Sequence, residues 1–139
     1  MTFRVGLDAN FNRPDEPPGY GHVDLSALDR TDLDCTVLEP YVAGRLTAEH
    51  VRGCDAVFLR GEARVTAEVV AGADRLTLIA LFHAGIDLVD VPACTERGVL
   101  VTNTSDACAP VAHAAIALLL ALAHKQPELE RIGRTPGWP

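Results

Sequence analysis

The stretch Leu76 to Asn103, LTLIALFHAGIDLVDVPACTERGVLVTN, constrains this chain more than any other. It reads as strand, tight turn, short helix, strand. Leu76 to Phe82 is apolar at nearly every position. Such a strand needs cover on both faces, the situation of a central strand in a parallel sheet. A parallel neighbour is reached only through a crossover connection, usually a helix. Val91 to Arg97, closed by Gly98, supplies one before the next strand at Val99 to Thr102.

The same alternation runs through the rest. Phe3 to Ala9 opens as a strand, and Asn10 to Gly21, with three prolines and two glycines, is a loop. Asp24 is placed to cap a short helix at Leu25 to Leu28. Asp34 to Glu39 is a second strand, stopped by Pro40. Leu46 to Arg52 is expected to be helical with Thr47 as its cap. Cys54 to Leu59 is a third strand. Thr66 to Ala71 is a helix with Thr66 at its N-cap and Gly72 near its end. Strands and helices in alternation predict an α/β architecture: a doubly wound, parallel, five-stranded sheet of flavodoxin-like type with flanking helices. A long helix from Pro110 to Lys125 follows, apolar all round and so expected to be covered. Residues 1–125 are read as one substrate-binding domain and 126–139 as a C-terminal arm or linker.

Composition narrows the function classes. Nineteen acidic against 12 basic side chains give a net charge of −7, with Lys125 the single lysine. That balance argues against nucleic acid. The longest apolar run, Ala114 to Ala123, is too short to span a bilayer, and the first residues have no signal-peptide pattern. Cys35, Cys54, Cys94 and Cys108 form no CxxC pair and are expected to be reduced, buried thiols, with no metal site. These features point to a cytoplasmic protein with neither nucleic-acid nor membrane partners.

In parallel sheets ligands lie beyond the carboxyl ends of the strands. Those ends carry Asp8 and Asn10, Glu39 and Tyr41, Arg60 and Glu62, His83 to Gly85, and Asn103 to Asp106, with His113 in the first turns of the long helix. The turn His83-Ala84-Gly85 is the sharpest signal. Consecutive backbone N–H groups there, beside a helix N-terminus, would receive an anion such as a carboxylate. Asp87 is read as the cap of that helix. Arg60 ends an otherwise apolar strand; it suits a carboxylate ligand, or a surface ion pair with Glu62 or Glu39. His83 is either a base or a filler of a polar crevice, and His113 either functional or a core histidine. Cys108 is a nucleophile only with a base beside it. The one GxG, Gly19-Tyr20-Gly21, follows prolines rather than a strand and is no dinucleotide fingerprint.

DAVFLRGEARVTAEVV and HAGIDLVDVPACTERGVLVTN resemble the substrate-domain core of the D-isomer-specific 2-hydroxyacid dehydrogenases, most of all the D-3-phosphoglycerate dehydrogenase branch. The likeness runs from about Asp55 to Trp138, with a weaker fit before it. It implies that Arg60 contacts substrate and that Ala84 and Gly85 give backbone N–H groups to the substrate carboxylate, with Asn103 close by. Departures are a histidine, His83, at the family's first turn glycine, a loop after Asn103 one residue short, and His113-Ala114 for a Glu-His pair. The family's catalytic Arg, Glu and His and its NAD(H) site lie in sequence that would follow Pro139.

The expectation is a truncated domain that binds a small 2-hydroxy or 2-oxo acid, holds no cofactor itself and does not transfer hydride alone. Whether the chain is an enzyme is left open. One alternative is a cofactor-independent lyase, dehydratase, isomerase or cyclase using His83, Asp106 and His113 for proton transfer. Another is a non-catalytic partner subunit. The apolar Pro110 to Lys125 helix is expected to be the interface of a homodimer.

Overall fold

The computed structural model describes residues 2–12, 23–106 and 108–137. Five strands form one parallel sheet: β1 (Phe3–Leu7), β2 (Leu33–Val37), β3 (Ala56–Leu59), β4 (Leu78–Leu81) and β5 (Leu100–Thr102). Their order is β2-β1-β3-β4-β5, the flavodoxin-like order expected from the alternation of elements. Two short helices, α1 (Ala67–Gly72) and α2 (Val91–Glu96), provide crossovers, and α3 (Cys108–Ala123) and α4 (Gln126–Gly133) follow. The chain divides into two compact units, Met1–Thr104 and Ser105–Pro139.

In the first unit the core forms where apolar strand positions meet the buried faces of the crossovers. Val57, Leu59, Ile79 and Leu81 from β3 and β4 pack with Val69 and Val70 of α1 and Cys94 of α2. Each is almost fully removed from water. Caps set where the helices begin. Thr66 Oγ1 accepts from Val69 N–H at 3.5 Å, and Asp90 Oδ1 accepts from Ala93 N–H at 3.1 Å. Gly44, at φ +71°, lets the loop after β2 meet the loop after β3. Glycine reaches that left-handed conformation without steric cost. A Cβ there would lie 2.2 Å from the Glu62 carbonyl oxygen. Arg64 N–H donates to the Gly44 carbonyl at 2.8 Å.

Several expectations are corrected. Leu46 to Arg52 is not a helix. His50 N–H bonds back to Thr47, Arg52 to Glu49 and Cys54 to Val51, three residues each. The result is a run of tight turns pinned by buried Leu46 and Val51. Thr47 does not cap a helix, and its hydroxyl meets His50 Nδ1 at 2.6 Å. The short helix near Asp24 is a 3-10 turn, Ser26–Leu28, whose first N–H does bond Asp24 Oδ1 at 2.9 Å. Cys35 and Cys108 are exposed, so only Cys54 and Cys94 fit the reading of buried thiols. Burial pushes both of those thiols above the usual cysteine range, which makes them poor nucleophiles. Residues 13–22, including Gly19-Tyr20-Gly21, lie outside the described residues, as do Ala107, Trp138 and Pro139.

The second unit contains α3, which begins two residues before Pro110 and holds that proline in its first turn. Lys125, in the left-handed conformation at φ 51°, separates it from α4, so Gln126–Gly133 is a helix where an arm was expected. Val111, Ile116, Leu118, Leu119, Leu120 and Leu122 of α3 are exposed. Among the described residues no single helix is long and apolar enough to cross a membrane; α3 and α4 reach that length only together, across a 61° bend.

Asp55 joins the amino ends of the strands. Its carboxylate accepts from Arg4 N–H at 2.8 Å and from the Arg75 guanidinium at 2.8 and 3.0 Å. The Arg4 N–H, and then Arg75, hold its carboxyl below the ordinary aspartate range. A depressed carboxyl contributes stability above its unfolded value and loses it as pH falls through its folded value. Arg75→Ala raises the folded value, so acid unfolding followed by circular dichroism is expected to set in at higher pH than in the wild type.

Candidate functional site

The carboxyl edge of the sheet is organised by one fully buried acid, Asp8, directly after β1. Its backbone N–H continues the ladder to the Phe58 carbonyl at 2.9 Å, which turns the side chain inward at the end of the strand. Oδ2 accepts from Arg60 N–H at 2.8 Å and from the Tyr41 hydroxyl at 2.6 Å. Oδ1 accepts from Asn10 N–H at 2.9 Å and Asn10 Nδ2 at 2.8 Å. Four donors from three segments thus meet one carboxylate, the condition under which a buried charge is tolerated. A cleft of about 170 Å³ beside it is lined by Asp8, Ala9, Asn10, Pro40 and Tyr41.

Arg60 stands at the end of β3, next to β1. Its Nη1 donates to the Asn10 carbonyl at 3.1 Å. The guanidinium lies 5.8 Å from the Phe11 ring centre. That separation is within cation–π range. Phe11, Phe58 and Phe82 form a mutual aromatic cluster with ring centres 4.8 to 5.8 Å apart. Such tilted and edge-on pairs are the favoured geometry of aromatic rings. The cation is therefore laid on an aromatic floor.

The turn after β4 is fixed by its neighbours. Phe82 N–H donates to the Leu59 carbonyl at 2.9 Å, which sets the end of β4 beside Arg60 on β3. The His83 carbonyl accepts from Thr104 N–H at 3.1 Å, and the Ala84 carbonyl from Asn103 Nδ2 at 2.7 Å. In a planar trans peptide the N–H of the next residue points opposite to the carbonyl. Pinning the carbonyls of His83 and Ala84 toward the segment after β5 therefore aims the N–H groups of Ala84 and Gly85 away from it. Among the described residues, neither N–H has a protein acceptor. A Cβ at Gly85 would come 2.9 Å from Asp87 Oδ1, a contact that the exposed Asp87 side chain can relieve by rotating.

Two sequence expectations fail here. The turn does not lead straight into a helix: α2 starts six residues after Gly85, at Val91, and its cap is Asp90 rather than Asp87. The anion-receiving groups are thus turn N–H groups without a helix terminus behind them. His113 is exposed on α3 and is not a core histidine; Asp106 is exposed as well. Both belong to the second unit, whereas Arg60, His83, Ala84, Gly85 and Asn103 share the first. The structure brings those five to adjacent strand ends. His83 is half-buried. Among the described residues no three His, Cys, Asp or Glu side chains are grouped to hold a metal.

Asp8, Asn10 and Tyr41 stood in the polar rim expected from the strand ends, but nothing in the sequence marked Asp8 as its centre. The available signal was an aspartate following an apolar strand directly, with a short polar residue two places on.

The sequence profile described as D-isomer specific 2-hydroxyacid dehydrogenase, catalytic domain, matches residues 42–115, over half of the chain. The chain belongs to this family. Its turn, Arg60 and Asn103 all fall inside the matched residues, whereas Asp8 lies outside them. Among similar proteins, D-3-phosphoglycerate dehydrogenase of Mycobacterium tuberculosis is 42% identical over 86 residues, 60% of this chain and 16% of that protein. Glyoxylate reductase of Korarchaeum cryptofilum is 33% identical over 108 residues, 77% of this chain and 32% of that one. The chain thus spans less than a third of the length of either relative. Among solved structures, the TT0316 protein of Thermus thermophilus superposes with a TM-score of 0.68 at 28% identity, covering 99% of this chain and 42% of that one. An NAD-dependent formate dehydrogenase from Staphylococcus aureus shares the fold at a TM-score of 0.71 and 20% identity, covering 99% and 43%.

For this 2-hydroxyacid dehydrogenase domain, Asp8→Asn places an NH2 group among four donors. It is expected to cost roughly 3 kcal/mol in urea unfolding, the scale of disrupted hydrogen bonds to a buried charge. Tyr41→Phe, which removes one of them, is expected to cost about 1–2 kcal/mol.

Proposed function

We propose that these 139 residues form the substrate-gripping part of a 2-hydroxyacid dehydrogenase and bind a small 2-hydroxy or 2-oxo acid by its carboxylate. The observation that carries this reading is the pair of backbone N–H groups at Ala84 and Gly85, aimed by the pinned carbonyls beside them and given no protein acceptor among the described residues. Two such donors match the two oxygens of a carboxylate, and hydrogen bonds to a charged acceptor are the strong kind. Arg60, on the adjacent strand end, adds a cation whose position is already restrained by Asn10 and Phe11. Asn103 acts through the turn, holding the Ala84 peptide, rather than on the ligand itself.

The family's hydride chemistry needs a nicotinamide cofactor, and the residues here do not fit one. A pyrophosphate site is a glycine-rich turn leading into a helix N-terminus. The sequence has no GxGxxG, and the turn His83-Ala84-Gly85 is separated from α2 by five residues. Hydride transfer is therefore assigned to groups outside these 139 residues, and the domain's contribution is to hold and orient the acid. We assign proton exchange with the ligand's 2-oxygen to His83, the half-buried titratable residue of the turn.

The relevant measurement is amide chemical shifts during titration with pyruvate. Ala84 and Gly85 N–H resonances are expected to move, and Arg60→Ala is expected to weaken binding by about tenfold or more, the scale of one charge-assisted hydrogen bond. Unchanged shifts at both amides would remove the carboxylate reading.

The exposed apolar surface of α3 favours a homodimer through that helix, because large contiguous apolar patches mark interaction sites. Sedimentation at micromolar concentration is expected to give a dimer that Leu122→Asp converts to monomer. A wild-type monomer would reject it.

A further inference from the structure

We infer that Asp8, with Asn10, is a positioning residue for Arg60, acting on ligand affinity without touching the ligand; the inference rests on the carboxylate-binding reading above. Asp8 is wholly buried and reaches Arg60 by two routes. The first is direct: Oδ2 takes the Arg60 backbone N–H at 2.8 Å and so fixes the point where the side chain leaves β3. The second runs through Asn10. Oδ1 takes both Asn10 N–H and Asn10 Nδ2, which orients the Asn10 backbone, and the Asn10 carbonyl then takes Arg60 Nη1 at 3.1 Å. The next residue, Phe11, places its ring under the same guanidinium. One carboxylate thus sets both the root and the tip of the arginine.

This matters because an arginine loses a large amount of rotamer freedom when it engages a ligand. A guanidinium already restrained before binding loses less, so its contacts appear as affinity. Tyr41 completes the arrangement. Its hydroxyl, 2.6 Å from Oδ2, is among the described residues the one donor to Asp8 that comes from neither Arg60 nor Asn10. It tethers the loop after β2 and serves as an internal control.

The test is a double-mutant cycle for pyruvate affinity by calorimetry on wild type, Asp8→Asn, Arg60→Ala and the double variant. Asp8→Asn is expected to weaken binding several-fold in the wild-type background and to have no further effect once Arg60 is gone, the non-additivity of residues that act as a unit. A ligand-free readout accompanies it: nitrogen relaxation at Arg60 Nε is expected to report greater mobility in Asp8→Asn and in Asn10→Ala, and little change in Tyr41→Phe. Equal weakening by Asp8→Asn with and without Arg60 would make Asp8 a general structural residue and overturn the inference. So would an Arg60 Nε as rigid in Asp8→Asn as in the wild type. If Asp8→Asn does not fold, Asn10→Ala takes its place in the cycle with the same two outcomes. Failure of the wild type to bind pyruvate is a different result, which sinks the carboxylate reading while the relaxation measurement still decides whether Asp8 positions Arg60.

Discussion

A carboxylate removed from water must be answered by donors, and at Asp8 that requirement holds the functional edge together. Arg60 N–H, the Tyr41 hydroxyl and both nitrogens of Asn10 converge on it from the end of β3, the loop after β2 and the turn after β1. These segments are far apart in sequence and meet only once the central strands have paired. Pro40 gives β2 a local reason to end, but nothing local brings the three segments to one point. The buried charge does, since leaving its oxygens unanswered costs a sizeable fraction of a domain's net stability. Arg60 and the cleft beside Tyr41 both inherit their geometry from it.

The fold was legible because its signals are local and repeated. Leu76 to Phe82 announced a strand, although only Ile79 and Leu81 of β4 are buried and its other face is half-covered; Thr66 marked the start of α1, and Gly98 the end of α2. The elements that misled are short ones in which two solutions differ by a single hydrogen bond. Leu46 to Arg52 has helical composition, yet burial of Leu46 and Val51 at its two ends is met by turns closing three residues back. Asp87 reads as the cap in sequence, but α2 starts at Val91 and takes Asp90.

The site was legible in its parts and not in its wiring. Arg60, Ala84, Gly85 and Asn103 could be named from the strand ends and from the resemblance to the family. The part played by Asn103 could not, because it depends on β5 lying beside β4, which is a fact of the sheet. Asp8 was hidden for the same reason: its partners Tyr41 and Arg60 lie 33 and 52 positions away. His113 illustrates the opposite error. A histidine in an apolar helix looked like a core residue, but α3 keeps its apolar side chains exposed, and the histidine with them.

The donors that the turn at Ala84 and Gly85 presents belong to the main chain. Replacing the side chains at positions 83 and 84 leaves those N–H groups in place. At position 85 an added carbon would come within 2.9 Å of an Asp87 carboxylate oxygen, the end of an exposed side chain that can turn aside. A histidine at 83 therefore adds a titratable group without removing either donor. A chain built this way can change the frame around a fixed pair of amides.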